Sequence, residues 1–398
     1  MDGAELMLTR IYALLLAQFL TALSDNAVLF AAIAMILQMD ASPVWYVPVL
    51  QASFLLAFVV LAPWVGSYAD RRAKPRVLMI GNIIKVMGVA LIMIGVEPLA
   101  AYALIGFGAA VYSPAKYGIL PELVPQHQLL KANSWIEATT ISAIILGAIL
   151  GGRLADFSIN IALWVVLGCY LLSLLMTFLI PRLKPRSLDA QPAFLDFIKI
   201  MRSFMVVPRV RFAIFSASLF WGASAVLRVL LVAWVPAVLM ARSAGDIAEL
   251  TLFLAIGVIM GAVIVPKLIK LDTLGRTRYP AYAMGCLILI FSMVENFWSA
   301  GFVLFLIGIA GGMFIVPINT VLQQIGHSTI GSGHAIAVQN FFENLAMLLT
   351  VGLYSIAAAA GVSSVTALFT LGVVFVAISF GIFHCLRTNK NSSAISAD

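Results

Sequence analysis

Asp25 and Arg228 carry full charges inside stretches that are otherwise soluble in lipid, residues 11–39 and 210–240. A charge at the centre of a bilayer costs about 2.5–3.5 kcal/mol even on the lenient insertion scale, so such a side chain faces a partner or a cavity. A carboxylate accepts an ammonium group, and a guanidinium forks onto phosphate or carboxylate. The pair therefore suits a zwitterion better than a neutral sugar, or else forms a salt bridge that latches two parts of the chain together. Three more ionisable groups lie in apolar stretches: Lys85, Glu137 and Glu343. Lys85 is expected to snorkel or to pair internally, as is Glu137. Glu343 shares its neighbourhood with Asn340 and Asn344.

The elements that must position these groups are helices across a membrane. The chain has 398 residues, 63% of them hydrophobic and only 10% charged. Apolar runs of about 20 residues recur along it, which excludes a soluble domain. The alternation of a membrane β-barrel is absent. Twelve spans are predicted, at about 11–38, 46–69, 76–96, 98–118, 133–155, 159–180, 210–240, 248–270, 277–295, 298–322, 334–359 and 362–386. The first is too long for a cleaved signal peptide and contains Asp25. With alternating spans, the basic residues fall on one side, except Arg153 and Arg242 opposite and Lys85 and Arg228 within spans. That bias predicts that both termini are cytoplasmic. It also explains the net charge of +7 without nucleic acid. The cysteines (169, 286, 385) and histidines (127, 327, 334, 384) are scattered, so neither a disulfide framework nor a metal site is predicted. No cofactor-binding loop or enzymatic constellation is visible.

The sequence divides into residues 1–180 and 210–398, each predicted as a six-helix bundle. A basic, proline-containing cytoplasmic linker, 181–209, joins them. Its amphipathic piece 194–204 is expected to lie on the membrane surface. The halves are weak repeats: Pro114 and Lys116 in span four match Pro317 and Asn319 in span ten, and residues 17–29 align with 216–228. Repeats of this kind put a shared site between two bundles. Helical spacing gives polar stripes of Gln18, Thr21 and Asp25, with Asn26 beside them, and of Trp221, Ser224 and Arg228. Tyr112 and Lys116, Asn319 and Gln323, and Asn340, Glu343 and Asn344 add to them. Gly147 and Gly151 in span five, and Gly257 and Gly261 in span eight, have the spacing that brings helices close. They are expected either to pack ordinarily or to form a seam between spans five and eight that opens to lipid.

After span two, Gly66, Asp70 and the basic residues around Arg71 resemble the loop typical of the major facilitator superfamily, although Ala73-Lys74 stands where that loop has Gly-Arg. Such a loop is expected to close the cytoplasmic side by pairing Asp70 with a basic residue or a helix end. Longer segments resemble the bacterial lysophospholipid transporters within that superfamily: 17–31, 111–124, 131–148, 219–237, 311–325 and 331–350. The resemblance implies an all-α integral membrane protein of the bacterial inner membrane with the major facilitator fold. It implies a monomer that moves lysophosphatidylethanolamine and related lysolipids from the outer to the inner leaflet. It also implies a cytoplasmic partner, an acyltransferase/acyl-acyl carrier protein synthetase, which reacylates the lipid. The substrate-binding candidates are Asp25, Asn26, Lys116, Arg228, Asn340 and Glu343, with Asp25 or Glu343 for the amine and Arg228 or Lys116 for phosphate. The gating candidates are Gly66, Asp70, Arg71, Gly147, Gly151, Gly257 and Gly261. Two competing expectations are a proton-coupled exporter of amphipathic cations and a membrane scaffold for the acyltransferase.

Overall fold

A computed structural model describes residues 3–37, 46–180, 193–239, 244–269 and 271–395. The helices are α1 (Gly3–Leu37), α2 (Tyr46–Asp70), α3 (Lys74–Met93), α4 (Pro98–Gly118), the single turn α5 (Leu120–Leu123), α6 (Leu129–Phe157) and α7 (Ile159–Thr177). They continue as α8 (Ala193–Val206), α9 (Pro208–Val238), α10 (Ala244–Leu268), α11 (Arg278–Phe291), α12 (Phe297–Ser328), α13 (Ser332–Ala359) and α14 (Ser364–Ile395).

Local chemistry sets several of the helix ends. Glu97 accepts a hydrogen bond from Ala100 N at 2.9 Å and Pro98 follows it, so α4 starts there. Ser158 takes the same role for α7, and Asn296 accepts from Trp298 N at 3.0 Å at the start of α12. Gly331, with φ of +101°, lies between α12 and α13, and its N–H donates to Gly326 O at 2.8 Å. An L side chain rarely adopts that backbone conformation, so glycine is the residue that lets the chain reverse there.

Eleven helical stretches among the described residues are long and apolar enough to cross a membrane. The remaining predicted span, 277–295, falls on α11, whose 14 residues rise about 21 Å against a hydrocarbon thickness of about 30 Å. A 3-10 stretch, Leu271–Thr277, leads into it. The amphipathic piece of the linker is α8; residues 181–192 lie outside the described residues.

The chain forms two compact units. The first comprises Met1–Arg202 together with Gln323–Phe341, so the end of α12 and the first turns of α13 pack with the amino-terminal helices. The second comprises Ser203–Leu322 and Phe342–Asp398. In the first unit α1 lies against α6 and α7, and α4 lies against α2 and α3. Its interior is largely Ala, Val, Leu and Ile, with Tyr102, Tyr112 and Tyr170 buried. In the second unit α14 packs on α9 and α11, with Trp234 against Phe291 and Phe212 edge-on to Phe383.

Candidate functional site

The first unit holds a polar core that a lipid-facing helix has no use for. Thr21 and Asp25 are one turn apart on α1, Asn82 and Lys85 on α3, and Tyr170 and Ser173 on α7. Lys85 Nζ lies 2.8 Å from Asp25 Oδ2. The Tyr170 hydroxyl donates to Asp25 Oδ1 at 2.6 Å. Beside them Thr21 donates to Asn82 Oδ1 at 3.1 Å, and Asn82 Nδ2 donates to Ser173 Oγ at 2.9 Å. Ser173 also donates to the carbonyl of Ala17 at 2.7 Å. Gln18, next on the same stripe of α1, donates to Thr140 Oγ1 at 3.0 Å. Asp25 thus finds its cation on α3 of its own unit, whereas the sequence also offered Arg228. Lys85 does not snorkel; it is buried and paired.

Asn26 is half-buried and donates to its own helix at Ala22 O, 2.8 Å away. Lys116 is buried on α4 with its ammonium 4.0 Å from the centre of the Tyr117 ring, a cation–π arrangement. The Tyr117 hydroxyl in turn donates to Glu137 Oε1 at 3.0 Å. Asn340 donates to Ser113 Oγ at 2.9 Å. In the second unit Arg228 is exposed, and its Nε approaches Ser224 O at 3.4 Å. Glu343 and Asn344 are buried on α13. The structure brings Asp25 together with Lys85, Tyr170 and, one turn away, Thr21. Lys116, Asn340 and Arg228 occupy separate surroundings.

A second cluster forms where α2 ends. Asp70 Oδ1 accepts from Gly333 N at 2.7 Å, and Oδ2 accepts from His334 N at 3.0 Å. His334 Nδ1 also lies 2.8 Å from Oδ2. These are the first, otherwise unsatisfied amides of α13, and a carboxylate there meets the positive end of the helix dipole. Lys74 bridges Asp70, at 3.8 Å, and Glu122. The expectation for the loop named a basic residue or a helix end; Asp70 has both. Gly66 allows the approach, since a Cβ there would lie 2.9 Å from both Ala337 Cβ and His334 Cα. Arg71 is half-buried beside Asp70. A reciprocal amide pair adds to the attachment: Asn133 Nδ2 donates to Gln323 Oε1 at 2.9 Å and Gln323 Nε2 donates to Asn133 Oδ1 at 2.6 Å.

The glycine motifs close seams within each unit. A Cβ at Gly147 would sit 2.3 Å from Leu23 O, and one at Gly151 2.5 Å from Ala27 Cα, so both press against α1. Gly257 and Gly261 meet the backbone of α12 at Phe305 O and Ile309 O, at 2.1 and 2.2 Å from such a Cβ.

Helices crossed by buried charges, together with a carboxylate clamp on a helix start, describe a membrane protein that handles polar cargo. Residues 14–351 match the model of the Major Facilitator Superfamily. The chain belongs to the major facilitator superfamily. It is therefore a multi-pass membrane protein of a transporter family and not an enzyme. It is 42% identical over 365 residues to the lysophospholipid transporter LplT of Photorhabdus laumondii, covering 90% of this chain and 92% of the relative. It is equally identical over 367 residues to LplT of Klebsiella pneumoniae, covering 91% and 92%. The fold resembles the Escherichia coli fucose:proton symporter FucP, with a TM-score of 0.72 at 14% identity over 95% of this chain and 98% of that one. It also resembles a bacterial homologue of the iron transporter ferroportin, with a TM-score of 0.73 at 18% identity over 95% and 99%.

The sequence reading missed Asn82, Tyr170 and Ser173 as members of the polar core, and Asn133 and His334 at the clamp. The signal for the first group was present: Asn82 and Lys85, like Tyr170 and Ser173, are three apart and share a helix face.

Proposed function

We propose that this chain moves lysophospholipids, chiefly lysophosphatidylethanolamine, from the outer to the inner leaflet of the bacterial inner membrane. The observation that carries the reading is the 42% identity to LplT along nine-tenths of the chain. The physical chemistry agrees with it. A lysolipid's headgroup is the part that cannot cross hydrocarbon, and charged groups inside apolar helices are what a headgroup needs. Asp25 or Glu343 receives the amine, Arg228 or Lys116 the phosphate, with Asn26 and Asn340 beside them. Residues 1–180 and 210–398 act as two bundles in alternating access, joined by 181–209, with both termini cytoplasmic. Asp70, with Gly66 and Arg71, holds the start of α13 until that side opens, and the glycine seams set how closely the helices slide. The chain works as a monomer and delivers lipid to a cytoplasmic acyltransferase/acyl-acyl carrier protein synthetase.

The test is inward movement of labelled lysophosphatidylethanolamine in spheroplasts that lack their own transporter and retain the reacylating enzyme. Wild type accumulates reacylated product. Arg228→Ala at equal membrane abundance falls to background, and Arg228→Lys recovers part of the rate, because a lysine keeps the charge and loses the fork. No product from wild type would end the lysolipid reading in favour of an exporter or a scaffold.

A further inference from the structure

Two layers of side chains cross the interior of the first unit, each with one residue from α1, α3 and α7. The first is Thr21, Asn82 and Ser173; the second, one turn on, is Asp25, Lys85 and Tyr170. The second layer is uneven. Lys85's side chain is 1% exposed, and its ammonium sits 5.0 and 5.7 Å from the ring centres of Tyr112 and Tyr170. Asp25's side chain is 18% exposed. The open part of this ion pair is therefore the carboxylate. A carboxylate has about four lone-pair sites on its two oxygens. Lys85 takes one on Oδ2 and Tyr170 one on Oδ1, which fixes the carboxylate plane and leaves its remaining lone pairs for a third partner.

We propose that Lys85 is a positioning residue for headgroup selection. By anchoring and neutralising Asp25 from behind, it presents an oriented carboxylate edge in a pair with no net charge. Such an edge accepts hydrogen bonds from the ammonium of a zwitterionic headgroup. A headgroup ending in hydroxyls forms only neutral, weaker bonds there. This rests on the lysolipid reading above and names the part of the headgroup that the Asp25 layer recognises.

The test uses the full chain in proteoliposomes, with labelled lysolipid bearing either an ethanolamine or a glycerol headgroup. The readout is the ratio of the two transport rates, which a loss of folded protein does not move. Wild type favours ethanolamine. Lys85→Met lowers the ratio about tenfold, the worth of one charge-assisted hydrogen bond. Lys85→Arg keeps most of it, and Asp25→Asn lowers it as Lys85→Met does. In the Asp25→Asn background Lys85→Met changes the ratio no further, because Lys85 acts through Asp25. That double variant leaves no unpaired charge, so it decides the matter if Lys85→Met alone does not fold. Equal slowing of both lipids would make the pair mere packing. A fall in ratio as large in the Asp25→Asn background would mean that Lys85 touches lipid itself. Either overturns the proposal, as does a wild type without preference for ethanolamine. A wild type that moves neither lipid sinks the lysolipid reading itself.

Discussion

Asp70→Asn should loosen the start of α13 by a predictable amount. The carboxylate accepts from Gly333 N, His334 N and His334 Nδ1 at 2.7, 3.0 and 2.8 Å. Hydrogen bonds to a charged group are worth about 1.5–3 kcal/mol each, and neutral ones about half as much. The amide of asparagine keeps one acceptor and brings an N–H where an acceptor is needed, so a gross loss of about 4 kcal/mol is expected. Against this, burying a carboxylate costs free energy that the variant recovers, and Lys74 offsets only part of it. The net loss is about 2 kcal/mol, or roughly 30-fold in the population released. Ser332 reports it, since it is 2% exposed beside the clamp. With the native cysteines replaced, Ser332→Cys in nanodiscs should react with a bulky maleimide only when the segment leaves. Adding Asp70→Asn should speed that reaction about 30-fold, up to the limit set by a fully released segment. A change of less than twofold would show that the Asp70 bonds do not hold α13, and the clamp would lose its proposed role.

Other outcomes follow from packing. Gly151→Ala places a Cβ 2.5 Å from the backbone of Ala27, so overpacking should cost about 1–3 kcal/mol and lower the melting temperature, with Gly152→Ala, which meets nothing within 4 Å, unchanged. Asn133→Leu or Gln323→Leu alone leaves a buried amide without its partner, at a cost of about 1–3 kcal/mol, and the double substitution should recover most of it in a thermal double-mutant cycle.

The hydropathy of the chain reveals its helices because the spans need no partner to be recognised: length and apolarity suffice. The twelve predicted spans match helices α1–α4, α6, α7 and α9–α14, although α11 is only 14 residues. Pro114 and Pro317, aligned as a repeat, both lie inside long helices, α4 and α12. Tertiary partners are a different matter. The stripe of Gln18, Thr21 and Asp25 shows which face of α1 is polar, but not that α3 and α7 lie against it. So Asp25's partner at position 85 was not legible, although Lys85 itself drew notice as a charge in a span. The glycine spacing at 147 and 151 announces a close neighbour without naming α1. Asp70 was better defined, because a carboxylate at the end of α2 has few uses besides a cation and a helix start, and it meets both.

The most direct measurement of the central claim places the purified chain alone in liposomes with fluorescent lysophosphatidylethanolamine in the outer leaflet, where a membrane-impermeant quencher reads what remains outside. The account predicts that label becomes protected faster than in protein-free liposomes, and that Arg228→Ala abolishes the difference. Protection at the protein-free rate by a folded wild-type chain would contradict it.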